Sequence, residues 1–186
     1  MAENITIEKS DFALIKLDKE YYNCTFINCN FANTTFGKVY FEDCHFEQCN
    51  ISLCKMNGTS WVGTHFKECK MTGVDFTASN KFQLSFSFEK CNLQYASFSE
   101  MKLKNTSFKS CNLFEVDFGY AVLSSVKFDD CDLIRAIFSN TNLEKSDFRT
   151  AHNYIINPQY NNLKGARFSQ NGLAGLLSES GIIIEE

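Results

Sequence analysis

Bulky apolar residues return at every fifth position along most of this chain. From Phe26 to Phe76 that position holds Phe, Ile, Met or Trp. After a slip of two residues it resumes at Phe88, then alternates Phe and Leu as far as Phe148. Two residues before each lies a smaller side chain, almost always Cys, Thr, Val, Ala or Ser, and the other three positions are mostly polar or Gly. Neither ordinary period accounts for this. A helix face needs apolar residues three and four apart, and a half-buried strand needs strict alternation. Repetition at a fixed period is weighed before local propensity. Two inward positions in every five suit a chain that turns a corner every five residues.

This pattern resembles the pentapeptide-repeat family over Phe26 to Phe148. The resemblance implies an all-β fold, a right-handed quadrilateral β-helix in which four five-residue sides close a coil of twenty. Each coil would stack on the last at the ~4.8 Å spacing of neighbouring strands. Charges test the coil length. The residues after every fourth central residue from Phe46 are Glu47, Lys67, Glu89, Lys109, Asp129 and Arg149. Their sign alternates at each step, provided one coil between Lys67 and Glu89 holds two extra residues. Opposite charges facing each other across strands are favourable by a few tenths of a kcal/mol up to about 1. Cys29, Cys49, Cys69, Cys91, Cys111 and Cys131 obey the same step with the same slip and should form one inward column. Beside them Asn30, Asn50, Lys70, Asn92, Asn112 and Asp132 form a second column, whose stacked amides should hydrogen-bond along it.

The ends are less regular. Ile7, Phe12, Leu17 and Tyr22 keep the five-residue spacing out of phase with Phe26, which predicts an irregular first coil over 1–22. The two extra residues belong in a bulge at about 77–87, where Phe86 and Phe88 both qualify for the inward slot. After Phe148 the pattern breaks over 149–162, which holds the one Pro, and resumes at Leu163 and Phe168. The β-helix is therefore expected over 1–168. The remaining 169–186 changes character: NGLAGLLS suggests a short helix, and the resemblance to the pentapeptide-repeat family implies a strand at the GIII that follows it. An open solenoid end recruits other chains unless it is capped. The expectation is a segment that closes the coil and forms a two-fold homodimer through Leu173, Leu176, Leu177, Ile182, Ile183 and Ile184, since self-complementary pairs are the commonest soluble assemblies.

Phe makes up 19 of 186 residues, which supplies a core, and Pro occurs once, as a continuous ladder requires. Met1 to Phe12 carries acids and no apolar run, so no secretory leader is expected. No stretch approaches the roughly 18 apolar residues of a membrane span. A cytoplasmic protein with reduced thiols is expected.

Site chemistry is sparse. Cys24 with Cys29, or Cys44 with Cys49 and Cys54, are separated by four residues, whereas zinc knuckles commonly use two. Neighbouring cysteines also fall on different sides of a coil, so a small apolar filler is the preferred reading and no metal or cofactor is expected. His45 and His65 stand outward, one coil apart, and two histidines do not make a zinc ligand set. With the thiols inward and the histidines outward no nucleophile–base pair forms, and no phosphate-binding glycine loop occurs. An enzyme is not expected. The net charge of −4 and the lack of a basic stripe disfavour direct nucleic-acid binding. The outward apolar residues Phe114 and Ile134, one coil apart, with Tyr95 and Tyr120 at corners nearby, make a candidate partner surface. Glu115, Asp117, Asp130 and Asp132 share those coils. From Cys111 to Asp147 seven acids stand against three bases, a local charge of −4. Burial of the patch under the C-terminal segment of the same chain is the competing expectation.

A narrower resemblance lies in KMTGVDFT…SFEKCNL, from Lys70 to Leu93, and in HNYIINPQYNNLKGARFS with GLAGLLSESGIIIEE. These look like the gyrase-protecting quinolone-resistance (Qnr) and albicidin-resistance group, a circle that includes microcin immunity proteins. The resemblance implies a rod-like dimer that imitates duplex DNA and occupies the DNA-binding saddle of a type II topoisomerase, countering a topoisomerase poison. A structural or scaffold protein that binds another partner through the Phe114–Ile134 patch is the alternative.

Overall fold

The computed structural model describes residues 1–104 and 106–183. The chain winds as a β-helix in which every strand pairing is parallel. One side carries a seven-stranded sheet of Thr6–Glu8, Thr25–Ile27, His45–Glu47, Thr64–Lys67, Phe86–Glu89, Ser107–Lys109 and Lys127–Asp129. A second side carries a four-stranded sheet of Ala2–Glu3, Glu20–Tyr22, Tyr40–Glu42 and Ser60–Val62. The other two sides are held by single bridges, such as Asn92 to Asn112 to Asp132 and Ser97 to Asp117 to Ile137.

Every central residue from Phe26 to Phe148 is buried. The rings of Phe26, Phe46, Phe66, Phe88, Phe108, Phe128, Phe148 and Phe168 form an unbroken stack with steps of 4.6–5.3 Å. Seven steps at strand spacing make a stack of roughly 34 Å, one step longer than the six coils of the two regular runs, because Phe168, past the irregular 149–162, continues it. Each ring also meets rings of neighbouring sides edge-on, as Phe108 does Phe118 at 5.9 Å and 78°. Both arrangements are favoured for aromatic pairs.

The small slot follows from the corner. Where the Phe31 carbonyl accepts from the Thr34 amide at 3.0 Å, Asn33 between them has a φ of 60°. That is a type II turn, with its third residue left-handed. The fourth must fit inside the corner, which excludes long side chains. The same hydrogen bond closes corners at Leu93–Ala96, Leu113–Val116 and Leu133–Ala136. Left-handed residues stand two positions after most central ones, and Gly occupies the place at Gly58, Gly63, Gly73 and Gly165. An L-residue there costs roughly 1–2 kcal/mol, which the ladder and core must offset.

The cysteines line the bore, all nine buried and unpaired. In the predicted column each thiol donates to a backbone carbonyl of the preceding coil: Cys49 to Phe26 at 3.3 Å, Cys91 to Phe66 at 3.4 Å and Cys131 to Phe108 at 3.3 Å. Burial pushes the Cys44 thiol up to about 12 and Cys54 up to about 11.

Several expectations need correction. In the first coil Tyr21, not Tyr22, points inward and stacks on Phe41. That coil is one residue short, pairing Ile7 with Phe26 and Asp11 with Asn30, which explains the apparent phase shift. The bulge falls between Asn80, still bonded to Ser60, and Phe86, which pairs with Thr64. Both Phe86 and Phe88 are buried, and Phe82 is thrown outward at 71% exposure. The Asn column does not run amide to amide. Asn50, Asn92 and Asn112 turn their side-chain oxygens to the amides of Ser52, Gln94 and Phe114 two residues on. Corner amides outcompete the column because each would otherwise lack an acceptor. At the end of the charged ladder Arg149 turns from Asp129 to Asp147, at 2.7 Å.

Candidate interaction surface

At the top of the rod, Ser169 caps a turn over Gln170–Gly172, followed by a helix at Ala174–Leu177. The segment lies against Tyr154. The Gly175 carbonyl accepts from the Ile156 amide at 3.0 Å. A methyl group on Gly172 would strike the Tyr154 hydroxyl, and one on Gly175 the Tyr154 carbonyl, so both glycines are needed for close approach. Leu176 tucks against the core, whereas Leu173, Leu177, Ile182 and Ile183 are exposed. Ile182 and Ile183 form no strand, and Ile184 lies outside the described residues.

The predicted side patch divides. Tyr95, Phe114, Glu115 and Ile134 come together. The Tyr95 ring meets Phe114 edge-on at 5.5 Å, and Tyr95 and Ile134 are 55% and 37% exposed. Sequence reasoning passed over Arg135, which lies 5.9 Å over the Phe114 ring and bonds the Glu115 carboxylate at 2.9 Å. The coil step that stacks Glu115 under Arg135 was the available signal. The other residues sit elsewhere. Tyr120 occupies the corner of the Glu100 and Asn140 column, and Asp117 caps the Gly119 amide at 2.8 Å. Asp130 faces His152 at 3.5 Å, and Asp132 accepts from Asn153 at 2.9 Å. Among the described residues the C-terminal segment contacts Tyr154 rather than this patch, which stays open.

His45 and His65 stack outward at 5.0 Å, and His65 meets the Ser87 hydroxyl. Burial, then the neighbouring His45 imidazole, hold His65 below its ordinary value. Among the described residues no group of His, Cys, Asp or Glu is arranged to hold a metal ion. No described helix is long and apolar enough to cross a membrane.

These features define a β-solenoid that offers flat and cornered outer faces, with its titratable chemistry turned out and its thiols turned in. The model of the pentapeptide repeat region matches residues 19–87 and 81–152, and the chain belongs to that family. Among curated proteins no sequence match is found. A trypsin-treated variant of QnrB1, described as a plasmid-mediated fluoroquinolone resistance protein, superposes with a TM-score of 0.59 at 18% identity, over 98% of this chain and 99% of that one. Full-length QnrB1 superposes with a TM-score of 0.51 at 19% identity, over 98% of this chain and 100% of that one. At that identity the likeness is one of fold.

Proposed function

We propose that this protein is a cytoplasmic DNA mimic. It binds DNA gyrase or topoisomerase IV, and confers resistance or immunity to a topoisomerase poison of quinolone or albicidin type. The observation that carries the reading is end-to-end likeness in fold to QnrB1, a fluoroquinolone resistance protein, joined to the acid excess of the coils from Cys111 to Asp147. Asp129, Asp130 and Asp132 follow one another around a corner of the rod, with only Lys127 and Arg135 as near neighbours in sequence. A narrow rod with such a surface suits a basic groove shaped for duplex DNA, and complementary charge raises the encounter rate at low salt. The column of Glu47, Lys67, Glu89, Lys109, Asp129 and Arg149 holds three acids and three bases and cancels its own charge, so the acidic upper coils and not that face would enter the groove. A homodimer through Leu173, Leu177, Ile182 and Ile183, the residues of the expected interface that are exposed, would double the rod.

Supercoiling by the host's own gyrase, with a quinolone or albicidin and increasing protein, tests this. Rescue of supercoiling is expected at micromolar protein and should weaken with salt. Neither inhibition nor rescue at that concentration would remove the proposal. The open patch of Tyr95, Phe114 and Ile134 favours one second reading, a scaffold for another protein partner. Loss of binding to a captured host protein in a Phe114→Ser, Ile134→Ser variant, with gyrase unaffected, would select it.

A further inference from the structure

The outer face of the four-stranded sheet carries a cluster that the charge ladder and side patch do not include. Register places Glu3 beside Tyr22 and Tyr22 beside Glu42 along one column, and Glu20 beside Tyr40 along the next. The Tyr22 and Tyr40 rings lie 5.7 Å apart and tilted by 47°. The Tyr40 hydroxyl donates to Glu42 Oε2 at 2.8 Å, fixing that carboxylate against the ring pair. Hydrogen bonding to Glu42, then burial, push the Tyr40 phenol up to about 12. Desolvation, then the charges of Glu20, Glu42 and Glu3, raise Tyr22. None of the ion pairs among the described residues includes Glu3, Glu20 or Glu42. Two aromatic faces and three carboxylates thus share one surface, and among the described residues no cation pairs with any of the three carboxylates.

The same chain shows what such an arrangement holds when it is filled. At the opposite end, Arg135 lies over the Phe114 ring and bonds Glu115 at 2.9 Å. A guanidinium suits both requirements, because it stacks on aromatic faces and bonds carboxylates through a planar fork. Lysine has a point charge and no fork. We infer that the Tyr22–Tyr40–Glu42 face is a docking site for an arginine side chain of a partner protein, with Glu3 and Glu20 at its rim. The site belongs to the lower half of the rod, apart from the acidic upper coils, and holds whether or not the partner is a topoisomerase.

The probe is a short peptide of alternating Arg and Gly, compared with its Lys and citrulline counterparts. The readouts are calorimetric titration and the ring-proton NMR shifts of Tyr22 and Tyr40. The Arg peptide should shift both tyrosines and bind roughly two- to fivefold more tightly than the Lys peptide, as an exposed cation–ring contact allows, and the neutral citrulline peptide should not bind. Tyr22→Thr and Glu42→Gln should each weaken the Arg peptide by a similar factor. Both lie on outward strand positions, and unchanged Trp61 emission would show that the coil remains folded. Equal binding of Arg and Lys peptides, or shifts centred on Asp129–Asp132 instead of the tyrosines, would overturn the inference. Binding that survives both substitutions would also overturn it.

Discussion

At the scale of single residues, the small slot and the left-handed corner decide most of what is tolerated. Cys111 is buried beside the carbonyl of Phe88 in the preceding coil. Cys111→Leu adds volume to a closed corner and should cost about 1–3 kcal/mol, read as a lower denaturant midpoint. An unchanged midpoint would mean the slot has spare room. His65 gives a pH signature. Its folded value is lowered from 6.5, so the unfolded chain takes up the proton first. Stability is full above about 6.5 and falls as pH drops from there through the lowered folded value. His65→Thr should flatten the melting temperature between pH 7 and pH 5, and an unaltered slope would contradict that. The inward and outward assignment of cysteines and central residues was legible in the sequence because period five repeats over so many turns. The Asn side chains were misread because a column of like residues looks the same whether each bonds its neighbour or its own corner.

Among elements, the phenylalanine stack and the bulge make opposite predictions for one residue type. Phe108 touches rings above, below and on adjacent sides. Phe108→Ala should cost about 3–5 kcal/mol. Phe82, on the bulge and mostly exposed, should tolerate Ser within about 0.5 kcal/mol. Chemical denaturation of the two variants side by side checks both, and equal losses would place Phe82 in the core. The sequence showed that two residues were extra but not where. Phe86 and Phe88 are both inward, and only the ladder partners of Ser60 and Thr64 separate the choices. Tyr21 was hidden for a similar reason: one missing residue in the first coil moves the beat without breaking it.

For the whole molecule, the two ends differ. The lower coils carry aromatic and acidic sheet faces, and the upper coils carry the aspartates and the capped terminus. Leu176 is committed to the core, which leaves Leu173, Leu177, Ile182 and Ile183 outward. A chain with these residues exposed should be a homodimer in solution, and Leu177→Asp with Ile183→Asp should halve the mass seen by light scattering. A mass of two chains in that variant would reject the C-terminal interface. The rod and the short C-terminal helix were legible from the beat and the compositional change at Asn171. The Arg135–Phe114–Glu115 contact and the Tyr22–Tyr40 cluster were not, since each depends on which outward positions meet across coils. The central claim is that this rod takes the place of duplex DNA. Competition between the protein and a labelled DNA duplex for the host's gyrase, followed across a salt series, tests it most directly. The account predicts displacement of the duplex at micromolar protein, weakening as salt rises. Gyrase holding protein and duplex together, neither reducing the other's occupancy, would contradict it.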